Sequence, residues 1–275
     1  MMDAVIGWIF EPFQYPFMVN ALWASLLIAG TCGVIGSYVV LRRLAFIGDA
    51  LAHTALPGVV VAYVYGWSLV SGALAAGIFT AFGISWMTKK SSLREDTAIG
   101  VIFTAMFALG ILLMSKLQSF RDLSHILFGN ILGVQAQELW LMSGVAIAVL
   151  VTLLLFHKEL ELTSFDVLHA EVIGIHSNRL RTMLLVLLAF TIVTSIQVVG
   201  VVLTSALLVT PAAAASFIAT DLRRMMFAAA IIGAISAFVG LLISYHFAVA
   251  TGAAIVLTCT ALFGGLALVT RLRKR

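Results

Sequence analysis

An all-α, polytopic membrane protein is the fold this sequence predicts: one domain, residues 1–275, of eight to nine spanning helices with a short helix outside the bilayer. Three observations predict it. Of 275 residues, 62% are hydrophobic and 10% charged, whereas soluble domains carry about 25% charged residues. Mean hydropathy is +1.13, so a soluble monomer would expose large apolar patches and aggregate. Apolar runs near the ~20 residues that cross a bilayer alternate with short clusters of Lys and Arg. Lipid offers backbone N–H and C=O groups no water, so such runs are helices rather than an open sheet. A soluble enzyme, a disordered chain and a nucleic-acid binder are excluded, and no separate soluble domain fits.

The elements follow in order. Residues 1–16 hold Trp8, Phe10, Phe13 and Tyr15, and read as an external interfacial segment. Asp3 and Glu11 stand where a signal peptide would be basic, so no cleavable leader is expected. The first run, Phe17 to Leu41, ends at Arg42 and Arg43, and its Gly30, Gly33 and Gly36 suit close helix packing. Then come Leu44 to Gly66, Ser68 to Met87, Thr97 to Ser115 and Leu139 to Phe156. Leu180 to Gln197 and Val198 to Ala219 form a doubtful pair, two short spans or one span with a broken half-helix. Met225 to His246 and Ala253 to Thr270 complete the set, before a basic tail. The two cysteines, Cys32 and Cys259, lie in apolar runs and suggest neither a disulfide nor a thiolate site.

Charge placement orients the chain. With nine crossings and the N-terminus outside, only Lys116 and Arg121 of the 16 basic residues fall outside. The C-terminal tail is then cytoplasmic, as the positive-inside rule requires.

Ionisable groups within apolar runs mark function in such a chain. Asp49 is the only carboxylate inside a run, and His53 follows one helical turn later on the same face. Counted from Arg43 at a rise of ~1.5 Å per residue, they lie about 9 and 15 Å deep. A carboxylate oxygen and an imidazole nitrogen on adjacent turns make half of a divalent transition-metal site. Hydrogen bonding within the bundle, or a proton relay, would use the same pair. Pro57 and Gly58 follow, and Pro57 cannot bond the His53 carbonyl, so a kink is expected there. His125, in the connector Asp122–Asn130, and His246, at the outer end of a run, are weaker metal candidates. His157, His169 and His176 suggest no shared role.

Residues 157–181 are too long for a plain turn. Ser164 to Gly174 reads as a short amphipathic helix, with Ser164 and Asp166 as candidate caps and Gly174 as the stop. Phe165, Leu168, Val172 and Ile173 share a face that suits docking of a soluble partner. The chain has no Gly-x4-Gly-Lys-Ser/Thr segment, so any ATP is hydrolysed by another polypeptide.

The stretch Leu41-Arg-Arg-Leu-Ala-Phe-Ile-Gly-Asp49-Ala-Leu-Ala-His53-Thr-Ala-Leu-Pro57-Gly58 resembles the signature of bacterial metal-ion ABC importer permeases. Asp96-Thr-Ala-Ile-Gly100, Asp122-Leu-Ser-His125-Ile-Leu-Phe-Gly-Asn130, Ser164-Phe-Asp166 and Leu208-Val-Thr-Pro211 resemble the manganese branch. The resemblance implies a multi-pass permease of the bacterial plasma membrane, itself no enzyme. Its implied partners are a second permease copy, two cytoplasmic ATP-binding subunits and an extracytoplasmic metal-binding protein, within membrane lipid. It implies Asp49 and His53 on the metal pathway. It makes Ser164, Phe165, Asp166, Leu168, Glu171 and Gly174 the ATPase-coupling segment. The implied cargo is Mn2+, with Zn2+ or Fe2+ as alternatives, and no permanently bound cofactor. A stand-alone channel or proton-coupled transporter is the competing class.

Overall fold

The computed structural model describes residues 7–90, 94–116 and 131–273, and among them every regular element is helical. The helices are α1 (Pro16–Leu41), α2 (Ile47–Thr54), α3 (Leu56–Tyr65), α4 (Leu69–Lys90), α5 (Glu95–Met114) and α6 (Ala136–Leu155). After these come α7 (His157–Phe165), α8 (Val167–Val172), α9 (Ser177–Ala215), α10 (Leu222–Phe247) and α11 (Thr251–Arg273). Among the described residues, eight elements are long and apolar enough to cross a membrane, with α2 and α3 together making one of them.

Two irregularities matter. The run from Ile47 to Tyr65 breaks at Ala55, because Pro57 has no N–H for the carbonyl of His53. The doubtful pair of apolar runs forms one element, α9, broken at Gly200 (φ 82°, ψ 171°). That backbone conformation is open almost only to glycine.

The chain packs as two compact units, within what the sequence suggests is one domain. The first comprises Met1–Ser37, Gly129–Ala146 and Val198–Arg275. Here α1 and α10 run antiparallel, with Gly33 against Ala229 and Gly233 against Ala29. Gly36 admits the backbone of Leu208, so the second half of α9 lies flush on α1. Gly240 lies against Ile255, which sets α10 and α11 as an antiparallel pair. Their connection is held by Ser244, whose hydroxyl donates to the carbonyl of Val249 at 2.8 Å. Rings close the same end: Phe13 stacks on Phe238, and Tyr15 leans on Tyr245.

The second unit comprises Tyr38–Phe128 and Ile147–Gln197. Gly58 on α3 and Gly72 on α4 face each other so closely that a Cβ on either would strike the other's carbonyl. Gly77 is opened onto Ala189 in the first half of α9. Ala55, Leu56, Val59, Val60, Ala73 and Val193 are buried between these helices. At the other end, hydrogen bonds join α1 to α7. Tyr38 Oη and His157 Nδ1 are 2.8 Å apart, both side chains buried. Arg42 donates to Thr163 Oγ1 at 2.9 Å and to Ser164 Oγ at 3.1 Å. Arg181 on α9 pairs with Glu95 on α5 at 3.1 Å.

Candidate metal pathway and coupling segment

Asp49 and His53 sit on α2, Oδ1 to Nε2 at 4.0 Å. Both are partly open, with side-chain exposures of 45% and 28%, so a cation could reach either group. Phenyl rings from α5 wall the imidazole. Phe107 meets it edge-on at 5.3 Å between centroids, and Phe103 tilts against it at 5.9 Å. These two rings stack on each other, and Phe46 braces Phe103 from the start of α2. The phenyl wall was not anticipated from sequence, although Phe103 and Phe107 stand one turn apart on α5. His53 Nδ1 is buried without a hydrogen-bond partner. A ring nitrogen so placed has given up water without gaining a hydrogen-bond partner, which is costly.

No group of three or more His, Cys, Asp or Glu able to hold a metal occurs among the described residues. The pair therefore offers two donors, where transition metals usually take four or more.

The weaker candidates fare differently. His246 stacks on Trp8 at 4.1 Å, and its Nε2 lies 2.8 Å from the Trp8 carbonyl oxygen. That arrangement anchors the N-terminal segment and occupies the nitrogen that a metal would need. His125 lies outside the described residues. Pro57 occupies the first turn of α3, and Gly58 is the contact with Gly72.

Residues 164–174, the expected coupling segment, depart from expectation in one respect. Ser164 is not a cap: it lies in the last turn of α7, donating to the carbonyl of Leu160 and accepting from Arg42. The preceding residues continue as helix from His157, so the cap falls two residues later. Asp166 caps α8, accepting from the His169 amide at 2.9 Å. Gly174, at φ 87°, turns the chain out of it. Phe165, Leu168 and Val172 are 66%, 77% and 84% exposed. Phe165 at the end of α7 and Leu168 and Val172 on α8 are three large apolar side chains within eight residues, a cluster that water disfavours. Glu171 points to the other side and lines a cavity with Arg42 and Arg181.

Residues 14–269 match the ABC 3 transport family. The chain is 43% identical over 250 residues to the Manganese transport system membrane protein MntC of Listeria monocytogenes, covering 91% of this chain and 89% of that one. It is 40% identical over 260 residues to the Probable iron transport system membrane protein of Haemophilus influenzae, covering 94% and 96%. The solved structure of PsaBC from Streptococcus pneumoniae in complex with Fab superposes with a TM-score of 0.83 at 37% identity, covering 95% of each chain. The helical bundle is that of a membrane permease of a metal transporter. The chain belongs to the ABC 3 transport family, as the membrane subunit of an ABC metal importer and not its ATPase. It is a multi-pass protein of the bacterial membrane whose cargo is a metal ion, and it works with an ATPase partner. This assignment displaces the stand-alone, proton-coupled reading.

Proposed function

We propose that this permease imports Mn2+ as a homodimer, fed by an extracytoplasmic metal-binding protein and driven by two ATP-binding subunits. The Asp49–His53 pair carries the reading: a carboxylate and a partly open imidazole at 4.0 Å, beside a break in the spanning helix. A hard oxygen with one imidazole suits Mn2+ or Fe2+ better than the sulfur-rich sites of softer ions. The manganese-named relative supports the first, and the iron-named one keeps Fe2+ as the second reading. Two donors per chain are too few, and a twofold axis along the pathway would bring two aspartates and two histidines into one layer. Uptake of radioactive manganese by cells stripped of their own importers, with the permease and its ATPase restored, tests the cargo. Uptake outcompeted by equimolar Zn2+ or Fe2+ but not by excess Mn2+ would overturn it.

We further propose that the N-terminus lies outside, the tail in the cytoplasm, and that α9 crosses and returns. Its 39 residues span about 58 Å at ~1.5 Å per residue, nearly twice a ~30 Å core. Within the second unit, α9 starts among Arg42, Arg43 and Lys89. Within the first, its second half runs from Leu203, beside Gly252, to the turn before Arg223 and Arg224. Each half therefore has one end among basic residues, and the Gly200 break is the end away from them. Only this path keeps the basic clusters on one side. A single cysteine placed after Arg275, in a chain with Cys32 and Cys259 replaced, should react with an impermeant maleimide only in opened cells. One placed before Phe17 should react in intact cells, and the reverse pattern would overturn the topology.

The exposed face of α8 is proposed as the ATPase dock. Leu168→Glu should leave membrane insertion intact and cut ATPase copurification at least about tenfold, as loss of a central apolar anchor does. Full copurification would move the dock elsewhere.

A further inference from the structure

A cavity of about 580 Å3 opens at the basic end of the second unit, between the end of α1 and the start of α9. Four cations line it, Arg42, Arg43, Lys89 and Arg181, against two carboxylates, Glu95 and Glu171. The pairing is uneven. Arg181 takes Glu95. Arg42 takes only the neutral hydroxyls of Thr163 and Ser164, and forms no ion pair among the described residues. Burial lowers the pKa of its guanidinium; Glu95 opposes that shift, and the neighbouring Arg181 adds to it. Arg42 therefore shares Glu95 with Arg181 at a distance and makes no direct ion pair of its own among the described residues.

Unused donors lie in the same wall. Ser177, the first residue of α9, is 8% exposed, and its hydroxyl has no hydrogen-bond partner. Arg181 Nε is likewise buried and unpaired. The positive end of the α9 dipole falls at this place as well. Arg43 adds a further sign. It holds φ at 60° after α1, a left-handed position where glycine is less costly, and so places its side chain here. Surplus positive charge, unspent N–H and O–H donors and a helix N-terminus together describe a receptor for a multiply charged oxyanion. A phosphate offers three or four acceptor oxygens, enough for guanidinium, ammonium and hydroxyl donors at once.

We propose that this cavity binds a phosphate group, carried by an anionic phospholipid headgroup or as the free ion. The volume exceeds that of bare phosphate and accommodates a phosphoglycerol group, and the basic end of the bundle is where headgroups lie. Occupancy would offset the Arg42 charge and tie α1, α4 and α9 together beside the coupling segment.

The test uses the assembled, detergent-purified transporter. In one arm, melting is followed in inorganic phosphate against chloride at equal ionic strength. In the other, native mass spectrometry follows retention of phosphatidylglycerol against phosphatidylcholine. Stabilisation by phosphate alone assigns the free ion, and retention of phosphatidylglycerol alone assigns the headgroup. Ser177→Ala and Lys89→Gln should each weaken whichever binds by about tenfold, the loss of one charge-assisted contact. Lys158→Gln, a basic residue outside the cavity, should change nothing. Absence of both effects overturns the site, as does equal binding by the wild type, Ser177→Ala and Lys89→Gln. The Arg42 charge would then be left to an acidic side chain of a partner protein.

Discussion

Asp49→Asn should abolish metal uptake, with the protein inserted and its ATPase still bound. The change keeps the side-chain shape and removes the charge proposed to hold a divalent cation. Even groups that merely orient a metal ligand are worth 10–100-fold in affinity, so loss of a direct ligand should exceed about a hundredfold. His53→Ala removes the imidazole set against Phe103 and Phe107 and should cost as much. The double variant should be no worse than either, because both damage one site. Radioactive manganese uptake, normalised to permease in the membrane, is the measurement. Normal transport by Asp49→Asn would remove the ligand role. Normal transport by a dimer mixing one wild-type and one doubly substituted chain would remove only the shared-site geometry.

Gly58→Val should be lost from the membrane altogether. A Cβ there would strike the carbonyl of Gly72, and backbone cannot rotate away as a side chain does. Inserting even a methylene into a packed interior costs about 1–3 kcal/mol, and a clash of helix backbone against helix backbone costs more. The α3–α4 contact would part, and α3 continues the chain directly from the Asp49–His53 helix. Gly100→Ala is the control, since nothing lies within 4 Å of its added Cβ. It should accumulate normally, with a slightly higher melting temperature from better helix propensity. Equal membrane levels for Gly58→Val and wild type, by quantitative immunoblot, would show that α3 and α4 separate without harm.

The helices were legible because lipid makes one demand of every span. The apolar run Leu139–Phe156 matches the helix Ala136–Leu155 closely, and Met225–His246 matches Leu222–Phe247. Asp49 stood out because a carboxylate in an apolar run has few innocent explanations. Other features leave no local trace. Tyr38 and His157 are 119 residues apart, and His157 in sequence is only a polar residue closing a run. Ser164 looked like a cap because serine before an amphipathic stretch usually is one; its partner, Arg42, lies in another segment. Gly200 is one of 22 glycines, and nothing in its neighbours Val199 and Val201 distinguishes it from those that admit close packing.

That glycine also bears on how the chain is made. No charged residue occurs between Arg181 and Asp221, so the insertion machinery meets one unbroken apolar stretch as the ribosome delivers it. Nothing in that stretch tells the translocon to reverse direction except the bend that Gly200 permits. On the proposed path, the return leg is fixed only when Arg223 and Arg224 emerge and resist export. The final third of the protein then threads in an order set by charges still unsynthesised when α9 first enters the bilayer. A bulky residue at 200 would act during biosynthesis, leaving α10 and α11 inverted in a chain whose first half is correctly placed.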